Sequence, residues 1–574
     1  MLSTWAPPLP YLIAGIIVLG ASFIGWGRLA WLLAGQSTRN DGGSPSLFEL
    51  GVAGIAAIYV LAVLISLVSA FTPLLGDAVV IAGFASYATA LWQRRRSESV
   101  PVHLVLMTVL AVPAAIGVVF APVHYDTGLY HLQMLEWFRT GPLPLGLANL
   151  HGRFGFNSGW LTITALVGNT RLVPVATFLI NGAALVVVCG ALLQLGYERF
   201  RERRARFGAL LAVVSVVVLE CVYLQIMFVW MAASPATDIP AALLTMFALV
   251  SLAVVVDADT AGDERWRLTL CGVAAALAVA VKASQLPVLL VVAAAIGWLG
   301  LRGRRSPLPA APLALLILGL WVLQGLMVSG CVLFPVAQSC AGWIPWSVDP
   351  AAATHHAEIA RIWARAPGLP FSEVPGGLDW IPLWIEHMWP NRRFVLWIAE
   401  IGALLSLAAL AASLLRRGHV GKSPPAPGFY WCVGAGAAGL LMTAAAAPDP
   451  RFCVGFLIIL VASVVARILV SARLDESVPG RRVFAGLVVT ILVCATAWNT
   501  LSLDEWLKKG GRVYWYRDLP TPRYEVVEAG GGLSIKTPAE GNQCWALPGA
   551  CAPRGEFPPR LRQTRMFGRT AFVR

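Results

Sequence analysis

Apolar runs of about 20 residues recur along the whole of this sequence, and each is long enough to cross roughly 30 Å of hydrocarbon. In lipid a backbone must satisfy its own hydrogen bonds, and runs of this length do so as helices. Composition agrees: 58% of the 574 residues are hydrophobic and only 13% are charged, against about 25% charged in a soluble domain. The expected fold is therefore an all-α polytopic membrane protein. The start, Met1 to Pro10, lacks the basic stretch of a cleaved signal peptide. The first apolar run is read as a retained span.

The net charge of +13 lies in short clusters beside the spans rather than in a groove with interleaved aromatics, so it does not point to nucleic acid. The clusters are Arg94-Arg95-Arg96, Arg199 to Arg206, Arg302 to Arg305, and Arg481-Arg482. Short basic loops stay in the cytoplasm. Spans are expected at 11–34, 48–70, 75–92, 102–121, 172–195, 208–230, 239–256, 268–281, 286–300, 308–328, 394–415, 429–447, 453–470 and 483–502. That is about 14 crossings, with every basic cluster inside and both termini outside. The parity depends on two short helices meeting at Lys282–Pro287 rather than one long tilted helix.

This topology leaves four segments outside: 122–171, the turn Ser234–Asp238, 330–393, and a polar C-terminal region, 504–574, read as a small soluble appendage. Six cysteines fall within apolar spans, where cysteine behaves as a small hydrophobe. The other four form two close pairs, Cys331/Cys340 and Cys544/Cys551, both in outer segments. Disulfides in an oxidising compartment suit them. The rival zinc reading lacks a CxxC or HxxxH partner set.

The densest polar stretch is His124-Tyr125-Asp126-Thr-Gly-Leu-Tyr130-His131-Leu-Gln133, just after a span. Asp126 stands where a helix N-cap is expected, and capping is the plain structural account of it. The apolar residues from Leu129 to Phe138 suit a helix in the membrane interface. Next comes a stretch with Asn149, His151, Arg153 and Asn157 among aromatics, a mixture that suits a sugar or phosphate surface. Asp238, two residues before Pro240, is a second acid at the outer end of a span; it either caps a helix or shares a cavity with Asp126. His124, Asp126 and His131, or Asp126, His131 and Asp238, are candidate ligands for a divalent cation such as Mg or Mn. A five-residue step on an α-helix, however, sets Asp126 and His131 on different faces. His355-His356 reads as a solvated face.

An outer loop with an Asp just after its span, followed by an interfacial helix and a second acid two crossings later, resembles the GT-C glycosyltransferases. The run HYDTGLYHLQ…GLANLHGRFGFNS also resembles a family of bacterial membrane proteins grouped with them. The motif covers about 122–160, with echoes at Ser234–Pro240, Lys282–Pro287, Pro448–Phe452 and the two cysteine pairs. The resemblance implies a GT-C-like bundle at 101–503, preceded by a three-span extension at 1–100 and followed by the extracytoplasmic region 504–574. It implies a membrane enzyme of bacterial cell-envelope biosynthesis, in the inner membrane and active on the outer face. That enzyme moves a sugar from a polyprenyl-phosphate donor to a glycan or lipid acceptor, with inversion. Asp126 is then the base and Asp238 a metal or acceptor partner. Arg451, Lys282, Arg153, Arg392 and Arg393 are the candidate cations for the leaving phosphate. Two other readings stay open. An O-antigen ligase or polymerase would use the long loop 330–393. A lipid or glycan transporter would place charges mid-span, where Arg28 and Glu220 stand out, and would show repeated broken helices.

Overall fold

The computed structural model describes residues 8–35, 45–95, 99–119, 124–202, 206–223, 231–258, 265–302, 311–388, 425–471 and 519–574, with isolated positions between 398 and 501. Ten of the described helices are long and apolar enough to cross a membrane, and the chain is a multi-pass, mainly helical membrane protein. In chain order the helices are α1 Leu9–Leu33, α2 Leu47–Ser66, α3 Pro73–Arg94, α4 Ser99–Val118, α5 Leu132–Thr140, α6 Gly159–Val167, α7 Ala176–Glu202 and α8 Arg206–Tyr223. They continue as α9 Asp238–Asp257, α10 Arg265–Val281, α11 Leu286–Leu301, α12 Ala311–Ser329, α13 Pro350–Arg365, α14 Trp380–Met388, α15 Pro427–Ala446 and α16 Val454–Ser471. The expected spans 394–415 and 483–502, with Arg392, Arg393 and Arg481, fall outside the described residues apart from isolated positions.

Helix α9 is the axis of the bundle. It packs against α7, α8, α10, α11, α15 and α16, and every residue from Asp238 to Val256 is buried. A helix apolar all round is a core helix, so the acid at its first position is delivered to the middle of one end of the bundle. The N-terminal helices belong to the same body. α1 crosses α2 and α3 with small residues at the contacts, as lipid-embedded helices require. A Cβ on Gly25 would overlap the Gly83 carbonyl, and one on Gly54 the Phe23 carbonyl.

The bundle has two unlike ends. α3 is 22 residues long, about 33 Å. The Phe71 amide, just before it, donates to Phe138 O of α5 at 2.8 Å. At its other end Arg94 donates to Pro45 O at 3.2 Å. Arg94 shares that end with Arg28, bonded to Gln93 at 3.1 Å, and with a Glu49–Arg267 ion pair at 3.1 Å. Glu49 also closes a capping box with Ser46 that starts α2. The sequence reading did not foresee the Glu49–Arg267 pair. Helices α10 and α11 are separate, joined by a 3-10 turn at Ala283–Gln285, and they pack on each other.

The opposite end carries the loops. Both expected disulfides, Cys331–Cys340 and Cys544–Cys551, are formed there. The segment 519–574 departs from an all-α description. It holds two antiparallel hairpins, β1 Tyr524–Glu528 with β2 Ser534–Pro538, and β3 Arg562–Met566 with β4 Arg569–Val573. Nor is it loosely attached. Leu145 N donates to Thr570 O and Phe572 N donates to Leu145 O, each at 2.9 Å, so β4 adds to the segment between α5 and α6 as a strand adds to an edge.

Sidedness is testable by thiol labelling of intact cells. Arg95→Cys should stay unlabelled by an impermeant maleimide, while His355→Cys and Glu540→Cys, exposed at the opposite end, should label. Labelling of Arg95→Cys alone would reverse the orientation.

Candidate functional site

Three polar turns at the loop end meet around one cluster of charge. The first contains Asp126. The chain after it forms a π-helix, Thr127–His131, in which Leu132 N bonds back to Thr127 O. Insertions of this kind are frequent at functional sites. A π turn closes five residues on, so it changes the geometry expected for an α-helix: Asp126 and His131 come to one side. The His124 and His131 rings lie parallel, 5.9 Å apart. Asp126 makes no capping hydrogen bond, which removes the plain structural account of it. Its Oδ2 instead faces Arg451 Nη1 at 3.5 Å.

The second turn carries Asp238. Asn181 fixes it, donating from Nδ2 to Met231 O, Ser234 O and Ala236 O at 2.8–3.0 Å while its Oδ1 accepts from Trp160 Nε1 at 2.7 Å. A bond of 2.6 Å between Thr127 Oγ1 and Ser234 Oγ ties this turn to the π-helix. Asp238 does not cap α9 either: Thr237 holds the cap position, and the Asp238 carboxylate pairs with Lys282.

The third turn is Asp449-Pro450-Arg451-Phe452. The Asp449 side chain accepts from Arg451 N at 3.1 Å and pairs with Arg451 Nε at 3.0 Å. Gln285 holds this turn to the α10–α11 junction, donating to Phe452 O at 3.0 Å while accepting from Thr245 on α9 at 2.8 Å. The Phe452 ring lies under both cations, 4.2 Å from Lys282 Nζ and 4.9 Å from Arg451 Cζ, a cation–π arrangement on each. Asp126, Asp238 and Asp449 thus surround Arg451 and Lys282. Asp449, which the sequence offers as an acid able to align Arg451, also caps that turn.

Electrostatics fix the protonation states. Burial works against the Asp126 charge, but the Arg451 guanidinium beside it wins and holds the carboxyl well below the usual carboxylate range. Burial likewise opposes the Arg451 charge, and Asp449, Asp238 and Asp126 overcome it. Burial pushes both imidazoles down, His131 to about 3. The histidines are therefore neutral at pH 7, and Asp126 is an ion. Among the described residues no three of His, Cys, Asp or Glu come together as a donor set for a metal ion. The expected set of His124, Asp126 and His131, and that of Asp126, His131 and Asp238, is not assembled. The carboxylates face Arg451 and Lys282 instead.

The remaining expected residues divide. Tyr125 and Arg153 stay close to Asp126; Arg153 is near enough to influence its charge and lies over the Phe156 ring at 5.5 Å. Four others are occupied by their own chain. Gln133 Nε2 donates to Trp545 O and Leu547 O at 3.1 and 2.6 Å, inside the Cys544–Cys551 loop. Asn149 donates to Trp346 O and Phe572 O and accepts from Arg574. His151 faces Glu556 at 3.4 Å. Asn157 exchanges two bonds with Trp321 of α12. The Trp545 amide donates to Gly128 O at 2.7 Å, and a Cβ on Gly128 would press into the Trp545 indole. The C-terminal segment is thus clamped onto the π-helix. His356 is not on a solvated face; it packs against Gly152 and the Phe334 ring.

A family profile described as a domain of unknown function (DUF8201) matches residues 11–458. The chain belongs to that family. The DUF8201 region takes in the first three helices and every member of the charge cluster, from Asp126 to Arg451. It stops before the C-terminal segment that clamps the π-helix. No curated protein and no solved structure matches the chain.

Proposed function

We propose that this DUF8201 protein is a GT-C-type glycosyltransferase. It transfers a sugar from a polyprenyl-phosphate donor to a glycan or lipid acceptor on the extracytoplasmic face of a bacterial inner membrane. The observation that carries the reading is the pairing of Asp126 with Arg451 at 3.5 Å, with Asp238–Lys282 beside it, at the disulfide-bearing end of the bundle. A base and a phosphate-binding cation side by side are what a single displacement at an anomeric carbon needs. In that step the acceptor oxygen bonds to the anomeric carbon as the bond from that carbon to the lipid-phosphate oxygen breaks. The acceptor proton passes to Asp126, and the electron pair leaves on the phosphate, whose added charge Arg451 and Lys282 offset. No step requires a metal ion.

The low basicity of Asp126 in the resting state fits this sequence of events. While Arg451 faces it, the carboxylate is a weak base. A donor phosphate that draws the guanidinium to itself relieves that hold and raises the basicity of Asp126, so donor binding prepares the base. Arg451 keeps Asp449 as its other partner throughout.

The decisive assay reconstitutes the purified chain in liposomes with polyprenyl-phosphate sugars carrying labelled hexose or pentose, and follows lipid phosphate release with and without added glycan. Glycan-dependent release is the expected result. Movement of intact donor between leaflets with no cleavage would instead establish the transporter reading.

A further inference from the structure

Two aromatic rings stand exposed beside the charge cluster, and neither the ion pairs nor the packing accounts for them. Tyr125 immediately precedes Asp126 and is 45% exposed; Trp363, near the end of α13, is 40% exposed. Their planes lie 21° apart with centroids 6.4 Å from each other, so elements more than 200 residues apart in sequence present nearly parallel faces at one place. Each ring nonetheless keeps a large share of its area in solvent.

The Tyr125 ring is also held in place. Its hydroxyl donates to Asn542 Oδ1, and its carbonyl accepts from Gln543 Nε2 at 2.8 Å. These amides belong to the C-terminal segment, beside the exposed Glu540 and next to the Cys544–Cys551 loop. An aromatic anchor at the bilayer surface would sit among apolar neighbours and headgroups. Here the polar partners of Tyr125 are the side-chain amides of Asn542 and Gln543.

We propose that Tyr125 and Trp363 form the seat for a pyranose ring of the acceptor glycan, with Asn542 at its rim. A pyranose presents a face of C–H bonds and an edge of hydroxyls. The C–H face stacks on an aromatic surface, whose negative π-cloud attracts polarised hydrogens, and the edge hydroxyls need amide or hydroxyl partners. Tyr125 adjoins Asp126 in the chain, and the Asp126 charge is near enough to influence the Tyr125 phenol, so the seat lies beside the carboxylate. The side chains that hold the Tyr125 ring are neutral amides, which suits a neutral sugar. The C-terminal segment then acts in acceptor selection, through the amides that hold and border the seat.

This inference rests on the glycosyl-transfer reading, and its test separates the two. The full-length protein in nanodiscs is titrated with fluorescent neutral oligosaccharides of glucose, mannose, galactose and N-acetylhexosamine, as wild type, Trp363→Ala and Trp363→Phe. Trp363 is exposed, so its replacement leaves the fold intact, as thermal unfolding would verify. At least one oligosaccharide should bind wild type. Trp363→Ala should weaken that binding about tenfold, and Trp363→Phe should restore most of it, as a stacking contact requires. Equal binding by Trp363→Ala and wild type, or no binding by any member of the panel, overturns the seat and leaves the catalytic assignment to its own assay. Trp363-dependent binding without sugar transfer would keep the seat and refute the glycosyltransferase.

Discussion

Asp126→Asn should reduce sugar transfer by about 10²–10⁴ in turnover, the usual worth of a general base, with donor and acceptor binding little changed. Asparagine keeps the size and the hydrogen-bonding oxygen of aspartate but cannot take the acceptor proton. The structure makes this substitution a clean probe. Asp126 caps no helix, so no cap is lost, and Arg451 retains Asp449 at 3.0 Å, so no cation is stranded. Folding and insertion should therefore match wild type, as judged by protein level and thermal unfolding. Normal glycan in cells that carry only the Asn variant at wild-type level would end the catalytic assignment.

Arg451→Lys should lower turnover, by up to about the 10²–10³ seen when a group stabilising developing negative charge is lost outright. Lysine is the informative choice over alanine. Removing the cation altogether would leave Asp126 and Asp449 facing each other unpaired, and breaking a buried pair in that way typically costs about 3–5 kcal/mol, enough to confuse a folding defect with a catalytic one. Lysine keeps the charge but loses the planar fork that spans two oxygens. Donor release rate and thermal midpoint, measured together, distinguish the outcomes: an unchanged midpoint with slowed turnover is expected, and wild-type turnover would remove Arg451 from the reaction.

Much of the frame was legible because hydropathy is a local signal. The apolar runs marked the described spans, and the basic clusters separated one end from the other. The cysteine pairs were legible because each closes fewer than ten residues. Asp126, Asp238, Lys282 and Arg451 could be singled out because each is an ionisable residue at the edge of an apolar run, but nothing local says which acid meets which cation. That is decided by α9 lying at the bundle axis and by Asn181 and Gln285 holding two of the turns in place. The π-helix was illegible for a related reason. Its sequence, Thr127–His131, also suits an ordinary α-helix, and the longer turn coexists with contacts to Ser234 and Trp545 that come from distant parts of the chain. Gln133, Asn149 and His151 looked like ligand-binding residues because polar side chains in an aromatic loop need partners. Each has a partner in the C-terminal segment, a carbonyl or a carboxylate, 400 or more residues away.

Those separations set an order of events during synthesis. A chain made from its N-terminus delivers Leu145 to the membrane long before β4 exists to lie against it, and Asn149 waits 425 residues for Arg574. Closing a loop that long adds only modestly to its entropic cost, which rises with the logarithm of length, yet the contact cannot form until the intervening helices are inserted and Arg569–Val573 has crossed to the same side. The Asp126 carboxylate therefore gains its final surroundings after the rest of the bundle has been assembled. A half-made or wrongly inserted copy has an Asp126 loop with no clamp, so maturation of the site reports that membrane insertion has run to completion.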